Sequence, residues 1–184
     1  MNKSTLFKKI SWLLPLLIFC SALAMAQHSS MLVIDERYPN KVSLLASTPI
    51  STLVLEVADD ADFWKNIHEG LRNEPNISEI HLLLNTTANT LEIGPGSIGV
   101  SALNNGTDAA LLAALVDSGR QMDLFLYSCS LANNDDGRAF LNALGQETKC
   151  NVLSSAQCAS IFDGDFQFTF STKNQIKQTG LILD

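Results

Sequence analysis

A nucleophilic thiol needs a sulfur and a group that can take its proton, and this 184-residue chain offers four cysteines and three histidines for the purpose. Cys129 closes the apolar run Leu124-Phe125-Leu126-Tyr127, between Ser128 and Ser130. A free thiol titrates near pH ~8.5, so an attacking cysteine requires a neighbouring base or cation. His81 lies inside a run of leucines and reads as a satisfied core histidine. His68 lies on an amphipathic stretch and His28 in a polar one. Cys129 therefore carries three readings. It is a nucleophile, half of a disulfide, or a small buried hydrophobe, as free cysteines often are.

The other candidates have simpler explanations. Asp59, Asp60 and Asp62 resemble a metal cluster but suit a helix start, as do Asp135 and Asp136, because acids favour the positive end of the helix dipole. Asp163-Gly164-Asp165 has the look of half a calcium loop without its remaining ligands, and reads as a turn. No phosphate-binding glycine loop and no Gly-x-Ser-x-Gly elbow occurs. No metal or cofactor is expected.

The elements that must position Cys129 follow from periodicity. Met31–Ile34, Thr52–Val57, Glu79–Leu84, Asp123–Ser128 and Asn151–Ser155 are apolar or β-branched runs of strand length. Phe166, Phe168 and Phe170 alternate as a last strand. Phe63, Trp64, Ile67 and Leu71 recur at helical spacing behind Asp59-Asp60. Asp108–Val116 and Asp135–Thr148 predict two more helices, and Gly94-Pro95-Gly96 a hairpin turn. Glu36–Leu45 reads as a mixed connection. Strands alternating with helices predict an α/β three-layer sandwich, with a mostly parallel sheet and helices on both faces. Chemistry in such sheets gathers beyond the carboxyl ends of the strands. Those ends are Asp35, 58–60, 85–87, 129–131 and 155–158.

Residues 1–26 predict a cleavable signal peptide. Lys3, Lys8 and Lys9 precede the apolar run Ile10–Phe19, and Ala24-Met25-Ala26 presents small residues before Gln27. The run contains Pro15 and is shorter than the ~20 residues of a spanning helix. Phe19 is too bulky for a lipobox ahead of Cys20. Removing the leader leaves one domain, residues 27–184. Its nine Lys/Arg face 19 Asp/Glu, a net charge of −10 against −7 for the whole chain. So acidic a surface argues against nucleic acid or an anionic membrane as partner, and the expected location is the periplasm or the extracellular space. Export also places Cys129, Cys150 and Cys158 in an oxidising compartment, where at most one internal disulfide can form. Cys129 and Cys158 both lie just past strand ends, so neighbouring parallel strands would bring them to one edge. Cys150 to Cys158 would have to run the length of a strand, ~20 Å or more. Cys129–Cys158 is the preferred pairing.

Two segments resemble a known family. Ile80 through Gly94, IHLLLNTTANTLEIG, is similar to its segment I-H-I-V-S-H-G-S-A-G-S-L-Q-L-G. Leu124 through Leu144, LFLYSCSLANNDDGRAFLNAL, is similar to its I-L-L-Y-G-C-N-V-A-A-G-E-A-G-Q-A-F-I-N-A-L. The family is the bacterial domain of unknown function 4347, met near the start of large exported adhesin-like proteins. Its pattern resembles caspase-like cysteine peptidases, in which a His-Gly follows one strand and a Cys the next. The resemblance implies a caspase-like sheet. It puts the nucleophile position at Cys129 and the His-Gly at Asn85-Thr86. Asn cannot take a proton at neutral pH, and His81 is four residues, ~13 Å, before Asn85. The expectation is a degenerate, non-catalytic exported module that binds a protein or surface partner. The alternative is a cysteine peptidase that uses Cys129 with a base from elsewhere.

Overall fold

The computed structural model describes residues 28–59, 61–105, 108–157 and 166–178. Residues 1–26, read as a leader, Asp60, Cys158, and Asp163-Gly164-Asp165, read as a turn, lie outside the described residues. Strands β1 (Ser30–Asp35), β2 (Thr52–Val57), β3 (Glu79–Leu83), β7 (Asp123–Leu126) and β8 (Asn151–Ser154) form the parallel part of a six-stranded sheet. Its order is β2-β1-β3-β7-β8-β9, with β9 (Phe170–Ser171) antiparallel at one end. β4 (Asn85–Thr86), β5 (Leu91–Ile93) and β6 (Gly96–Ile98) make a separate antiparallel sheet.

Both faces of the main sheet are covered over its inner strands, which explains why β1, β3, β7 and β8 are buried along nearly all their length, while the edge strand β2 leaves Val54 and Glu56 exposed. On one face Met31, Val33, Ile80, Leu82, Leu124, Leu126 and Val152 meet Phe63, Trp64, Ile67 and Leu71 of α2 (Phe63–Asn73). They also meet the apolar sides of α3 (Val100–Asn104), α4 (Ala110–Asp117) and α5 (Asp135–Thr148). Each large apolar side chain so buried contributes about 1.5–3 kcal/mol relative to exposure. On the other face Leu32, Ile34 and Leu83 pack against Leu44 of α1 (Lys41–Ser47). Phe125 and Leu153 are covered there by Phe168. The three layers are those that the pattern of strands and helices predicts.

Four local readings change. α1 occupies part of the stretch read as a connection. At seven residues, with only Leu44 buried, it is too short for its periodicity to register. α3 starts at Val100, directly after the hairpin. α2 starts at Phe63 with Asp62 at its N-cap and no side-chain capping bond, while Asp59 Oδ1 accepts from the Ala61 amide at 3.2 Å in the preceding turn. The last strand shrinks to Phe170–Ser171, and Phe168 and Phe170 pack into different cores. Alternation alone would put them on one side.

Candidate functional site

Strand order places β1 between β2 and β3, so the chain leaves β1 toward one side of the sheet and later fills in on the other. Beyond the carboxyl ends at such a reversal a crevice opens, because successive connections diverge to opposite faces. A pocket of about 350 Å³ occupies this place. Tyr38 and Pro39 reach it from the end of β1, Leu84 to Thr86 from the end of β3, and Tyr127 to Ser130 from the end of β7. Asn85, Thr86 and Cys129, far apart in sequence, thus line one pocket.

Thr86 is held between the two neighbours of Cys129. Its Oγ1 lies 2.6 Å from Ser128 Oγ and 2.7 Å from Ser130 Oγ, and the two serine oxygens are 3.0 Å apart. Ser130 Oγ also lies 2.9 Å from the Thr87 carbonyl, to which it donates. Below this triangle, the Ser128 carbonyl accepts from Ser154 Oγ at 2.7 Å, tying the end of β7 to β8. Asn134 caps α5, accepting from the Gly137 amide at 2.8 Å and donating to the Ala88 and Ser130 carbonyls. Gly137 is required at this point. A Cβ there would stand 2.0 Å from the Leu131 oxygen and 2.5 Å from the Ala88 oxygen.

The sulfur of Cys129 is in a disulfide. Cys150 is a free, buried thiol. Burial pushes its pKa up to about 11, against the lowering effect of its hydrogen bond to Thr148. It sits at the start of β8, at the opposite edge of the sheet from Cys129.

None of the three histidines lines the pocket. His81 is fully buried and stacks on Phe125, with ring centroids 5.0 Å apart. Its Nδ1 is 3.1 Å from the Tyr127 hydroxyl, while Nε2 is 3.6 Å from Glu79 Oε2, too long for a hydrogen bond. His81 lies in the core as expected, but it is only half satisfied: Nδ1 is paired, and Nε2 is buried without a hydrogen bond. His28 Nδ1 lies 3.1 Å from Glu74 Oε1 at the amino-terminal edge, and His68 is on α2. Among the described residues no group of three or more His, Cys, Asp or Glu side chains could hold a metal ion, and no helix is long and apolar enough to cross a membrane.

One participant, the hydroxyl triangle, escapes the sequence reading. Its signal was Ser128 and Ser130 flanking Cys129, but only the fold brings Thr86 between them. Asp35, expected at the end of β1, takes a role that spacing does not show. This fully buried carboxylate accepts from the Arg37 amide at 2.6 Å and the Gly94 amide at 2.7 Å, fastening the small sheet beside the pocket.

Residues 31–179 match the family described as Domain of unknown function (DUF4347), and the chain belongs to it. No curated protein matches the chain.

Proposed function

We infer that this member of the family is an exported, non-catalytic module with a caspase-like fold, acting by binding at the cell surface or in the periplasm. The observation that carries this reading is the oxidised state of Cys129. A sulfur in a disulfide has no lone thiolate to attack a carbonyl, and structural disulfides persist outside the cytoplasm. Asn85-Thr86 at the family's His-Gly position supports the same conclusion, since neither side chain is a base at neutral pH. Cys158 is the partner we assign. Cys150 is free, Cys20 falls in the expected leader, and β7 and β8 are adjacent and parallel, while Cys158 itself lies outside the described residues.

Thiol-directed alkylation of the mature protein across pH, with peptide mapping, tests this. The expected result is no labelling of Cys129 until a reductant is added, and then labelling with an apparent pKa near ~8.5. Rapid labelling in mild acid, with peptide cleavage lost in Cys129→Ala, would replace this reading with the cysteine peptidase.

A further inference from the structure

Among the described residues, the pocket at the carboxyl ends of β1, β3 and β7 has a lining of unusual chemistry for so acidic a protein, with no Asp, Glu, Lys, Arg or His in it. What it does contain is amphipathic. Tyr38 and Tyr127 are half-buried rings, the Tyr127 hydroxyl already engaged by His81 Nδ1 at 3.1 Å, and Asn85 is an exposed amide. Burial holds the Tyr38 phenol above its ordinary pKa, so it stays neutral.

Proton counting gives the triangle a polarity. Thr86, Ser128 and Ser130 own three hydroxyl protons. They make three contacts with one another, and Ser130 makes a fourth to the Thr87 carbonyl. The Ser130 proton goes to that carbonyl, which leaves two protons for three hydroxyl–hydroxyl contacts, so one contact lacks a proton. The cluster is a net acceptor and welcomes a donor brought by a ligand. Three kinds of donor come to mind. An ammonium group would lose water without gaining a counter-charge from the described lining, which holds no carboxylate, and that is costly. An extended peptide binds by completing an open strand edge, whereas side-chain hydroxyls at strand ends form this wall. A ligand with many neutral hydroxyl donors and apolar C–H faces meets both halves of the lining.

We propose that this pocket is a binding site for a neutral carbohydrate, its C–H face against Tyr38 and Tyr127 and its hydroxyls on Thr86, Ser130 and Asn85. The volume, about 350 Å³, lies at the lower end of the range for small-molecule sites and suits one or two sugar rings. The proposal rests on the binding-module reading and names the ligand class of the same site.

The test is titration of the mature, oxidised protein with a panel of neutral trisaccharides (chitotriose, cellotriose, maltotriose, mannotriose), followed by calorimetry and ligand-observed NMR. At least one is expected to bind, with affinity reduced about tenfold or more by Thr86→Val and by Tyr38→Ala, the scale of a lost hydrogen bond or ring contact. Ser130→Ala serves as a further variant should either fail to fold. Absence of binding across the panel overturns the proposal. So does binding that survives all three substitutions, or competition at the site by an uncharged capped peptide in place of a sugar. Product analysis of the same samples separates the two conclusions. Thiol-dependent cleavage of an added peptide would sink the non-catalytic reading while leaving the sugar site standing.

Discussion

The amide of Gly94 donates to Asp35 Oδ2 at 2.7 Å across 59 residues of chain, joining the turn of the small antiparallel sheet to the end of β1. Gly94 has φ +56°, and a Cβ there would come within 1.7 Å of the Ala58 carbonyl oxygen. The turn between β5 and β6 is thus pressed against the end of β2 by a residue that tolerates neither a side chain nor ordinary backbone angles. The Asp35 carboxylate fixes that approach. Gly94→Ala should cost about 2–4 kcal/mol in urea unfolding. Asp35→Ala should cost about 1–3 kcal/mol by leaving the part-buried bonds from the Gly94 and Arg37 amides without their acceptor. A loss below half a kilocalorie for Gly94→Ala would mean that the turn relaxes freely.

Removal of the Tyr127 hydroxyl strands one nitrogen of a buried ring. His81 is fully inaccessible, and its Nδ1 is 3.1 Å from that oxygen. Tyr127→Phe should destabilise the fold by about 1–3 kcal/mol, measured by chemical denaturation. Unchanged stability would show that the imidazole finds another partner.

Arg120 gathers the loose end of α2. Its guanidinium donates to the carbonyls of Leu71 at 2.9 Å, Glu74 at 3.4 Å and Ile77 at 2.5 Å. Burial lowers its pKa from the ordinary value. The cation serves the Leu71 carbonyl in the last turn of α2 and the Glu74 and Ile77 carbonyls just beyond it, where it is also favoured by the helix dipole. Arg120→Met keeps most of the stem packing, so its expected cost of about 1–3 kcal/mol reports the lost donors. Hydrogen exchange should show the last turn of α2 opening first. Uniform protection along α2 in the variant would contradict this.

Cys150 makes stability fall in alkali. Its folded pKa, raised to about 11 by burial, exceeds the unfolded value. The neutral thiol is therefore favoured in the fold at all pH below the unfolded pKa. That advantage is lost as pH rises from ~9 through ~11, when the unfolded chain releases its proton first. The contribution is ~2–3 kcal/mol. Cys150→Ala should show a shallower decline of stability over that window than the parent protein. The parent's Cys150 should resist alkylation at pH 8 until denaturant is added.

Strand and helix periods, visible in Leu82–Leu84, Leu124–Leu126 and the Phe63–Leu71 face, specified the three-layer architecture, because burial of both sheet faces writes itself directly into residue type. The same logic placed His81 in the core. The short α1 and α3 were illegible, since one buried leucine each, Leu44 and Leu103, leaves no period to detect. The candidate site was half legible: Cys129, Asn85 and Thr86 could be named in advance. Their convergence over the ends of β1, β3 and β7 and the closing of three hydroxyls around Thr86 were decided by strand order and register. These relations join residues some forty positions apart, and local periodicity carries no record of which strand lies beside which.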